Sequence, residues 1–241
     1  MDLRPYSAGY ESRRPLTEAA AGFSKSSKEG NMDSKGIVFD LDGTLWDSSA
    51  RVAVAWSSVL EQRAHRRITV EDMRNLMGKT MTDIFRILLP SESEQTRARV
   101  AGECCREEQD SLRKHGGTLY PLVPETLEKL GREYRLFIVS NCQTGYIESF
   151  LDYYRWKGRF ADTECFGRTG KCKGENIKAL VQRNRLERAV YVGDTILDRE
   201  AAAQAGVPFI HAAYGYGKVD GASYSVRAFS ELPQIISEVF S

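Results

Sequence analysis

Short apolar runs and amphipathic segments alternate along most of the chain. Residues 36–39, 135–139, 189–192 and 207–212 are apolar runs of strand length, and residues 162–166 form a weaker candidate. Helical patterns lie between them, at 124–131, 145–154, 174–184 and 197–205. Because strands that alternate with helices favour a parallel arrangement, this pattern predicts an α/β fold with a doubly wound parallel sheet.

Residues 48–117 have a helical period without a strand-like run. One face of the first helix in this stretch carries five apolar residues: Val52, Ala55, Trp56, Val59 and Leu60. A capping box at 69–72, a glycine at 78 and a proline at 90 mark where further helices begin and end. The sequence therefore predicts a small all-α cap domain at 48–117, inserted after the first strand into an α/β core at 34–47 and 118–241.

The first 33 residues are rich in Ser, Ala, Gly, Glu and Arg and show no sustained period. We expect residues 1–33 to form a flexible N-terminal extension. They lack the apolar stretch of a secretory signal. The chain also contains no apolar run near the ~20 residues that a membrane span requires.

Charge and cysteine content narrow the class of protein further. The net charge of +1, from 34 basic and 33 acidic residues, provides no field that would attract nucleic acid or an anionic membrane. The five cysteines are odd in number and contain no CxxC pair, so we expect reduced thiols and a cytoplasmic protein.

Polar residues follow directly on three of the predicted strands. The first strand ends in Asp40 and Asp42, the second in Ser140 and Asn141, and a later one in Asp194. Ligands of open parallel sheets bind beyond the carboxyl ends of the strands, so we expect these side chains to meet. Three carboxylates form a hard oxygen site that suits Mg²⁺ better than zinc.

Such a set fits phosphoryl transfer. One carboxylate of the first strand end would act as the nucleophile while the other handles protons. A divalent cation would offset the repulsion between the nucleophile and an incoming phosphate. Ser140, the backbone amides after it and a lysine would stabilise the phosphoryl oxygens.

These residues resemble the four motifs of the haloacid dehalogenase superfamily. Residues 40–44 are similar to its nucleophile motif DxDGT, and Ser140 matches the second motif. Lys173 resembles the third motif and residues 193–198 the fourth, GDxxxD. All four occur in order across roughly residues 35 to 215, and the helical insert has the place and type of the cap in the phosphoglycolate phosphatase-like branch.

The resemblance implies a Rossmann-like core and a role for each matched residue. Asp40 would attack phosphorus, and Asp42 would protonate the leaving group and then activate water. Magnesium would bind Asp40, the backbone carbonyl of Asp42 and Asp194, while Asp198 would support the metal or orient Lys173. The phosphate oxygens would be held by Ser140, Asn141, Thr44 and Lys173.

Several of these residues also have a purely structural interpretation. Asp194 suits a helix N-cap, and Asp198 suits the first turn of a helix. Trp46 and Tyr216 are interpreted as packing or surface residues rather than pocket residues. Each of these interpretations competes with the functional one.

Two further lysines deserve comparison with Lys173. Lys171 is an alternative to Lys173 because it lies close by, although Lys173 directly precedes the expected helix start. Lys79 lies in a cap loop where related enzymes place substrate-selecting residues, and an exposed lysine after a helix end is an equally good interpretation.

Other functions stay open at this stage. A phosphomutase acting on a sugar phosphate keeps both aspartates of the nucleophile motif, and a catalytically silent binding protein can share the fold. Dehalogenases and phosphonate-cleaving relatives usually lack the second aspartate, so Asp42 argues against them. We expect a magnesium-dependent phosphatase of a small, phosphoglycolate-like metabolite, and the oligomeric state is not predicted.

Overall fold

The fold is described from a computed structural model of residues 34–241. The extension predicted at 1–33 lies outside the described residues. The strands are β1 Lys35–Phe39, β2 Trp46–Asp47, β3 Thr118–Leu119, β4 Arg135–Ser140, β5 Asp162–Cys165, β6 Arg188–Gly193, β7 Phe209–Ala212 and β8 Tyr224–Val226.

Six of these strands form one parallel sheet in the order β5-β4-β1-β6-β7-β8. Strand β1 is central, and it pairs Phe39 with Ile138 on one side and with Val192 on the other. The chain first builds outward from β1 through β4 and β5, and then crosses back to β6 on the other side. The predicted doubly wound α/β sheet is therefore confirmed, and its topological switch point lies beside β1.

Helices cover both faces of this sheet. The core helices are α5 Val123–Leu130, α6 Tyr146–Tyr153, α7 Phe166–Thr169, α8 Lys173–Arg183, α9 Ile196–Ala205 and α10 Leu232–Val239. Because side chains of a strand alternate between faces, Ile37 and Phe39 pack in one apolar cluster with Ile147, whereas Val38 packs in the other with Ile177. Burial on both faces explains why the strands are continuous apolar runs.

The insert between β2 and β3 is helical throughout its regular elements. Its helices are α1 Ser49–Ala64, α2 Val70–Leu76, α3 Met81–Leu88 and α4 Glu94–His115. Thr69 and Asp72 form the expected capping box at the start of α2. Strands β2 and β3 pair antiparallel at the base of the insert. The division of the chain into separate core and cap domains stays a prediction.

The sequence pattern missed several regular elements, among them β2, β3, α7, β8 and α10. Residues 207–212 were expected to be the last strand, but β8 extends the sheet and α10 packs behind it. The ribbon of β2 and β3 was also not predicted. Strands of two or three residues are too short to show a hydrophobic period. Among residues 34–241, no helix has both the length and the apolar character needed to cross a bilayer.

Candidate active site

The loop after β1 places Asp40 at the switch point of the sheet. The backbone N–H of Asp40 donates to the carbonyl oxygen of Val192 at 2.8 Å, which ties the loop to β6. The side chain of Asp40 is buried, and burial raises its pKa to about 7 although the charge of Lys173 opposes this rise. Asp40 is therefore fixed where two strands diverge, as the order of the strands predicts.

Lys173 is the positive charge that faces Asp40. It begins α8 and is only 4% exposed, with Nζ 2.6 Å from Oδ1 of Asp198 and 3.1 Å from Oδ1 of Asp40. Burial alone would lower the pKa of Lys173, but the two carboxylates outweigh it and raise the pKa. Lys171 is exposed, so the structure brings Lys173 to the acids and leaves Lys171 outside.

Asp198 uses both carboxylate oxygens. Oδ1 accepts from Lys173, and Oδ2 accepts from the N–H of Thr195 at 2.9 Å and from its hydroxyl at 2.6 Å. The second pair of contacts is a capping box at the start of α9. Asp198 therefore caps a helix and orients Lys173 at the same time, which unites the two interpretations of this residue.

Asp194 completes a cluster of buried acids. Carboxylate oxygens of Asp40, Asp194 and Asp198 lie within 4.8 Å of one another. The N–H of Tyr216 donates to Oδ2 of Asp194 at 2.8 Å, and burial raises the pKa of Asp194 well above its usual value. A Cβ atom at Gly43, where φ is +79°, would overlap the Asp194 carboxylate. Glycine at this position lets the nucleophile loop approach the acid.

The donor set fits a hard divalent cation. Ionisation of all three clustered acids leaves an excess of negative charge, since Lys173 supplies one positive charge to them. Oδ1 of Asp40 is buried and accepts no well-aligned hydrogen bond from any residue between 34 and 241. Carboxylate oxygens without His or Cys are the ligands that Mg²⁺ prefers. Both oxygens of Asp198 accept short hydrogen bonds from Lys173 and Thr195, whereas Oδ1 of Asp194 has only the Thr44 hydroxyl at 3.5 Å, so Asp40 and Asp194 are the better candidate ligands.

Asp42 points away from this cluster into a hydrogen-bonded pocket. Its Oδ1 accepts from Trp46 Nε1 at 2.9 Å, from Ser48 Oγ at 2.5 Å and from the Tyr146 hydroxyl at 2.8 Å. Burial raises the pKa of Asp42, and these three hydrogen bonds offset part of the rise. Two carboxylates only two residues apart therefore have different surroundings, as separate nucleophile and proton-transfer roles require.

Sequence reasoning missed the three residues that hold Asp42. Trp46 is fully buried, as its interpretation as a packing residue requires, but its indole N–H also donates to Asp42. The spacing of Trp46 and Ser48 from the nucleophile motif offered a weak local signal. Tyr146 is over a hundred positions away and had no local signal at all.

The remaining expected residues occupy different places around the acids. Ser140 is buried at the end of β4, and its Oγ accepts from the N–H of Cys142 at 3.3 Å. The amide nitrogen of Asn141 donates to the carbonyl oxygen of Gly78 in the helical insert at 2.8 Å. The Thr44 hydroxyl is 3.5 Å from Oδ1 of Asp194, so it supports the acidic cluster. Direct phosphate contacts of these residues stay predictions.

Comparison with known proteins identifies the family of the chain. The pattern of the haloacid dehalogenase-like hydrolase family matches residues 37–212. The chain belongs to this family.

Individual relatives within the family are phosphatases. The hydrolase is similar to the phosphoglycolate phosphatase of Rhodobacter capsulatus, with 27% identity over 83% of this chain and 95% of that protein. The phosphoglycolate phosphatase of Aquifex aeolicus is 28% identical over 76% of this chain and 87% of its own length. The enzyme class expected from the motifs, a phosphoric monoester hydrolase of the haloacid dehalogenase superfamily, is confirmed.

A solved structure supports the fold. The crystal structure of a predicted phosphoglycolate phosphatase from Haemophilus somnus superposes with a TM-score of 0.76 and 21% identity. The match covers 86% of the hydrolase and 100% of that chain. The overall fold is therefore one that a known protein adopts.

A chamber in the hydrolase lies between the acids and the insert. Its cavity volume is about 50 Å³, and its mouth is open to solvent. The core contributes Asp40, Asp42, Ser140 and Asn141, and the insert contributes a mostly apolar wall. Lys79 lies at this wall, with its Nζ donating to the carbonyl oxygen of Asn75 at 2.8 Å.

Glu108 of α4 is a buried acid in the same chamber. It is 5% exposed, and its Oε2 accepts from Trp56 Nε1 at 2.5 Å. Burial raises the pKa of Glu108 to about 8, the hydrogen bond from Trp56 opposes this rise, and the charge of Asp42 adds to it. Glu108 and Trp56 lie outside the recognised motifs, so the sequence offered no sign that Glu108 faces the acids.

The Tyr146 hydroxyl is expected to act through Asp42. Tyr146→Phe should lower kcat by about 10-fold with little change in KM, because a hydrogen bond to a charged group contributes about 1.5–3 kcal/mol. Steady-state kinetics on one phosphomonoester measure both constants. Tyr154→Phe is the matched control, since that hydroxyl donates to the carbonyl oxygen of Gly117 instead. Equal losses in the two variants would contradict the role of Tyr146.

Glu108 should make the stability of the hydrolase depend on pH. The folded protein binds the Glu108 proton more tightly than the unfolded chain, so the free energy of unfolding falls as pH rises from 4.5 to about 8. Glu108→Gln keeps an acceptor for Trp56 and removes the ionisation. Urea unfolding measures the free energy of unfolding of both proteins. Between pH 4.5 and about 8, the value for Glu108→Gln should rise relative to that of wild type by on the order of 3 kcal/mol.

The neighbouring exposed residue is the control for this experiment. Glu107→Gln should follow the wild-type pH profile, because Glu107 is exposed on the same helix. A Glu108→Gln profile parallel to wild type would contradict a raised pKa at Glu108.

Proposed function

We propose that the hydrolase is a magnesium-dependent phosphatase that cleaves a small phosphomonoester through a phosphorylated Asp40. The observation that carries this proposal is the pairing of a buried Asp40 with Lys173, whose Nζ lies 3.1 Å from Oδ1 of Asp40. The neighbouring Asp42 instead accepts hydrogen bonds from neutral side chains such as Tyr146. A nucleophile, a phosphate-binding cation and a proton carrier then converge at one strand end.

The first half-reaction forms an aspartyl phosphate. A carboxylate oxygen of Asp40 attacks phosphorus in line, and the bond from phosphorus to the leaving alcohol oxygen breaks. Asp42 donates its proton to that oxygen, so the leaving group departs as a neutral alcohol. The raised pKa of Asp42 supports this step, since a buried carboxyl group keeps its proton more readily.

The second half-reaction restores the enzyme. Asp42, now a carboxylate, takes a proton from water, and the water oxygen attacks phosphorus of the aspartyl phosphate. The bond from phosphorus to the Asp40 oxygen breaks, inorganic phosphate leaves, and Asp42 is again protonated. Lys173 and Ser140 hold phosphate oxygens in both halves, and Asp198 keeps Lys173 in place.

A divalent cation fits this proposal electrostatically. Asp40 must be ionised to attack, yet burial holds its pKa at about 7 against the opposing charge of Lys173. When bound by Asp40, Asp194 and the backbone carbonyl of Asp42, Mg²⁺ would supply positive charge that lowers this pKa and screens the phosphate. The all-oxygen donor set supports Mg²⁺ as the proposed metal.

The size of the chamber supports a small substrate. A cavity of about 50 Å³, roughly the room of a few water molecules, leaves space for a small molecule beside the acids and excludes a folded protein segment of any bulk. Relatives named phosphoglycolate phosphatases suggest a phosphorylated metabolite of that general kind.

Phosphate release from a panel of phosphorylated metabolites tests the proposal. Wild type should release phosphate with Mg²⁺ and not with chelator, and Asp40→Asn should lose at least about 10³-fold in kcat because the nucleophile is gone. Acid-quenched wild type should carry one phosphoryl group on the Asp40 peptide by mass spectrometry.

Asp220→Asn is the matched control for the loss of one carboxylate. The side chain of Asp220 is exposed and makes no hydrogen bond or ion pair to the acidic cluster among the described residues, so its variant should retain wild-type rates. Activity that persists in Asp40→Asn would refute the nucleophile. Phosphate that returns to the substrate at another position, with no net release, would identify a phosphomutase instead.

Metal binding can be measured without turnover. Mg²⁺ should stabilise wild type by about 2.7 kcal/mol at about 100 times its Kd, because only the folded protein presents the site. Asp194→Asn should abolish this gain while keeping the acceptor for the N–H of Tyr216. Thermal unfolding with and without Mg²⁺ measures both, and an equal gain in the variant would exclude Asp194 as a ligand.

A further inference from the structure

The wall of the chamber opposite Asp40 is apolar with one buried acid in it. Val52, Trp56, Met73, Met77, Met81 and Ile84 line this wall together with Glu108. The leaving group of a phosphomonoester held at Asp40 must point into this space. The chemistry of the wall therefore decides which leaving groups fit.

Glu108 lacks a counter-charge in the ligand-free protein. Within residues 34–241 no Lys, Arg or His pairs with it, and Trp56 occupies Oε2 while Oε1 receives no hydrogen bond from a described residue. A buried carboxyl group without a cation is unstable as an anion, and this is the physical reason for its raised pKa. A ligand that brings a positive charge would relieve that cost.

Asn141 offers a second unpartnered acceptor in the same chamber. Its amide nitrogen is committed to Gly78, which fixes the orientation of the side chain, and its Oδ1 is buried without a donor from the described residues. Buried acceptors normally have a partner. Asn141 and Glu108 together therefore favour a leaving group that donates hydrogen bonds.

A leaving group with a carboxylate would bring neither a positive charge nor a hydrogen-bond donor. Glycolate would bring a negative charge beside Glu108, which has no counter-charge among the described residues, so the two carboxyl groups could not both be ionised there at low cost. Lys79 is the basic residue at the chamber wall, and its ammonium group donates to Asn75 of its own helix end. The electrostatics thus favour a cation over an anion at the leaving-group end.

We propose that Glu108 and Trp56 form a leaving-group subsite that selects phosphomonoesters of amino alcohols, with an apolar body and a positively charged nitrogen, over phosphoglycolate. Glu108 binds the ammonium group, Asn141 Oδ1 accepts one of its hydrogens, and the methionine-rich wall contacts the carbon chain. This inference rests on the proposed phosphatase function and specifies its substrate class.

A series of short alkyl phosphates that differ only in the terminal group tests the inference. The termini are ammonium, hydroxyl, methyl and carboxylate, the last being phosphoglycolate at the shortest length. For wild type we expect kcat/KM of the ammonium ester to exceed that of the carboxylate ester by at least about 30-fold, as for a charge pair in a desolvated site. Glu108→Gln should reduce this ratio at least about 10-fold, mainly through KM.

Two matched variants separate the possible causes. Glu107→Gln, on the exposed side of the same helix, should keep the wild-type ratio. Lys79→Met removes the rival cation and should also leave the preference for ammonium in place. A wild-type preference for the carboxylate ester, or a preference for ammonium over hydroxyl that survives in Glu108→Gln, would overturn the inference.

Binding to Asp40→Asn decides the question independently of turnover. Calorimetric titration should rank the ammonium ester above the hydroxyl, methyl and carboxylate esters, and Glu108→Gln in the same background should remove that ranking. If wild type hydrolyses none of the esters and also fails on p-nitrophenyl phosphate, the proposed function is wrong. Hydrolysis of p-nitrophenyl phosphate with tightest binding of the carboxylate ester would leave that function standing and refute only the subsite.

Discussion

The buried ammonium group of Lys173 makes the acidic end of the sheet possible. Two strand ends and the start of a helix meet at this edge of the sheet. They place carboxylate oxygens of Asp40, Asp194 and Asp198 within 4.8 Å of one another. Carboxylates so close and so buried repel one another and lose hydration. Lys173 offsets part of this cost by pairing with Asp40 and Asp198. The negative charge that it does not neutralise favours binding of a divalent cation.

The same arrangement separates the two aspartates of the first loop. Asp40 remains on the axis of β1, facing Lys173, whereas Asp42 turns toward Trp46, Ser48 and Tyr146. One acid is thereby surrounded by charge and the other by neutral hydrogen-bond donors. Differences of this kind, rather than the identity of the residue, allow two carboxyl groups to perform different chemistry.

The helical insert contributes environment more than reactive groups. Its wall of methionine, aliphatic and aromatic side chains offers few polar groups to the space above Asp40, so a charge there is poorly solvated on that side. In such a wall a single carboxyl group, Glu108, has more influence than it would have on a surface. In the proposed function, the core supplies the reactive groups and residues of the insert contact the leaving group.

The sequence by itself determined most strands of the sheet, the helical insert and the candidate residues at the strand ends. Each of these depends on neighbours in the chain: a buried strand is an apolar run, and Asp40, Ser140 and Asp194 directly follow such runs. Local spacing also separated Lys173 from Lys171, because Lys173 directly precedes the expected start of α8. These features could be predicted because the physical cause lies within a few residues of the effect.

Only the tertiary structure decided which distant side chains meet. Tyr146 reaches Asp42 from α6, and Glu108 reaches the chamber from α4, although neither has a neighbour that signals it. The short strand β8 was missed for a related reason, since three residues carry no period and pair only because β7 is already in place. Such contacts depend on how whole elements pack against one another, and the pattern of apolar and polar residues along the chain does not specify that packing.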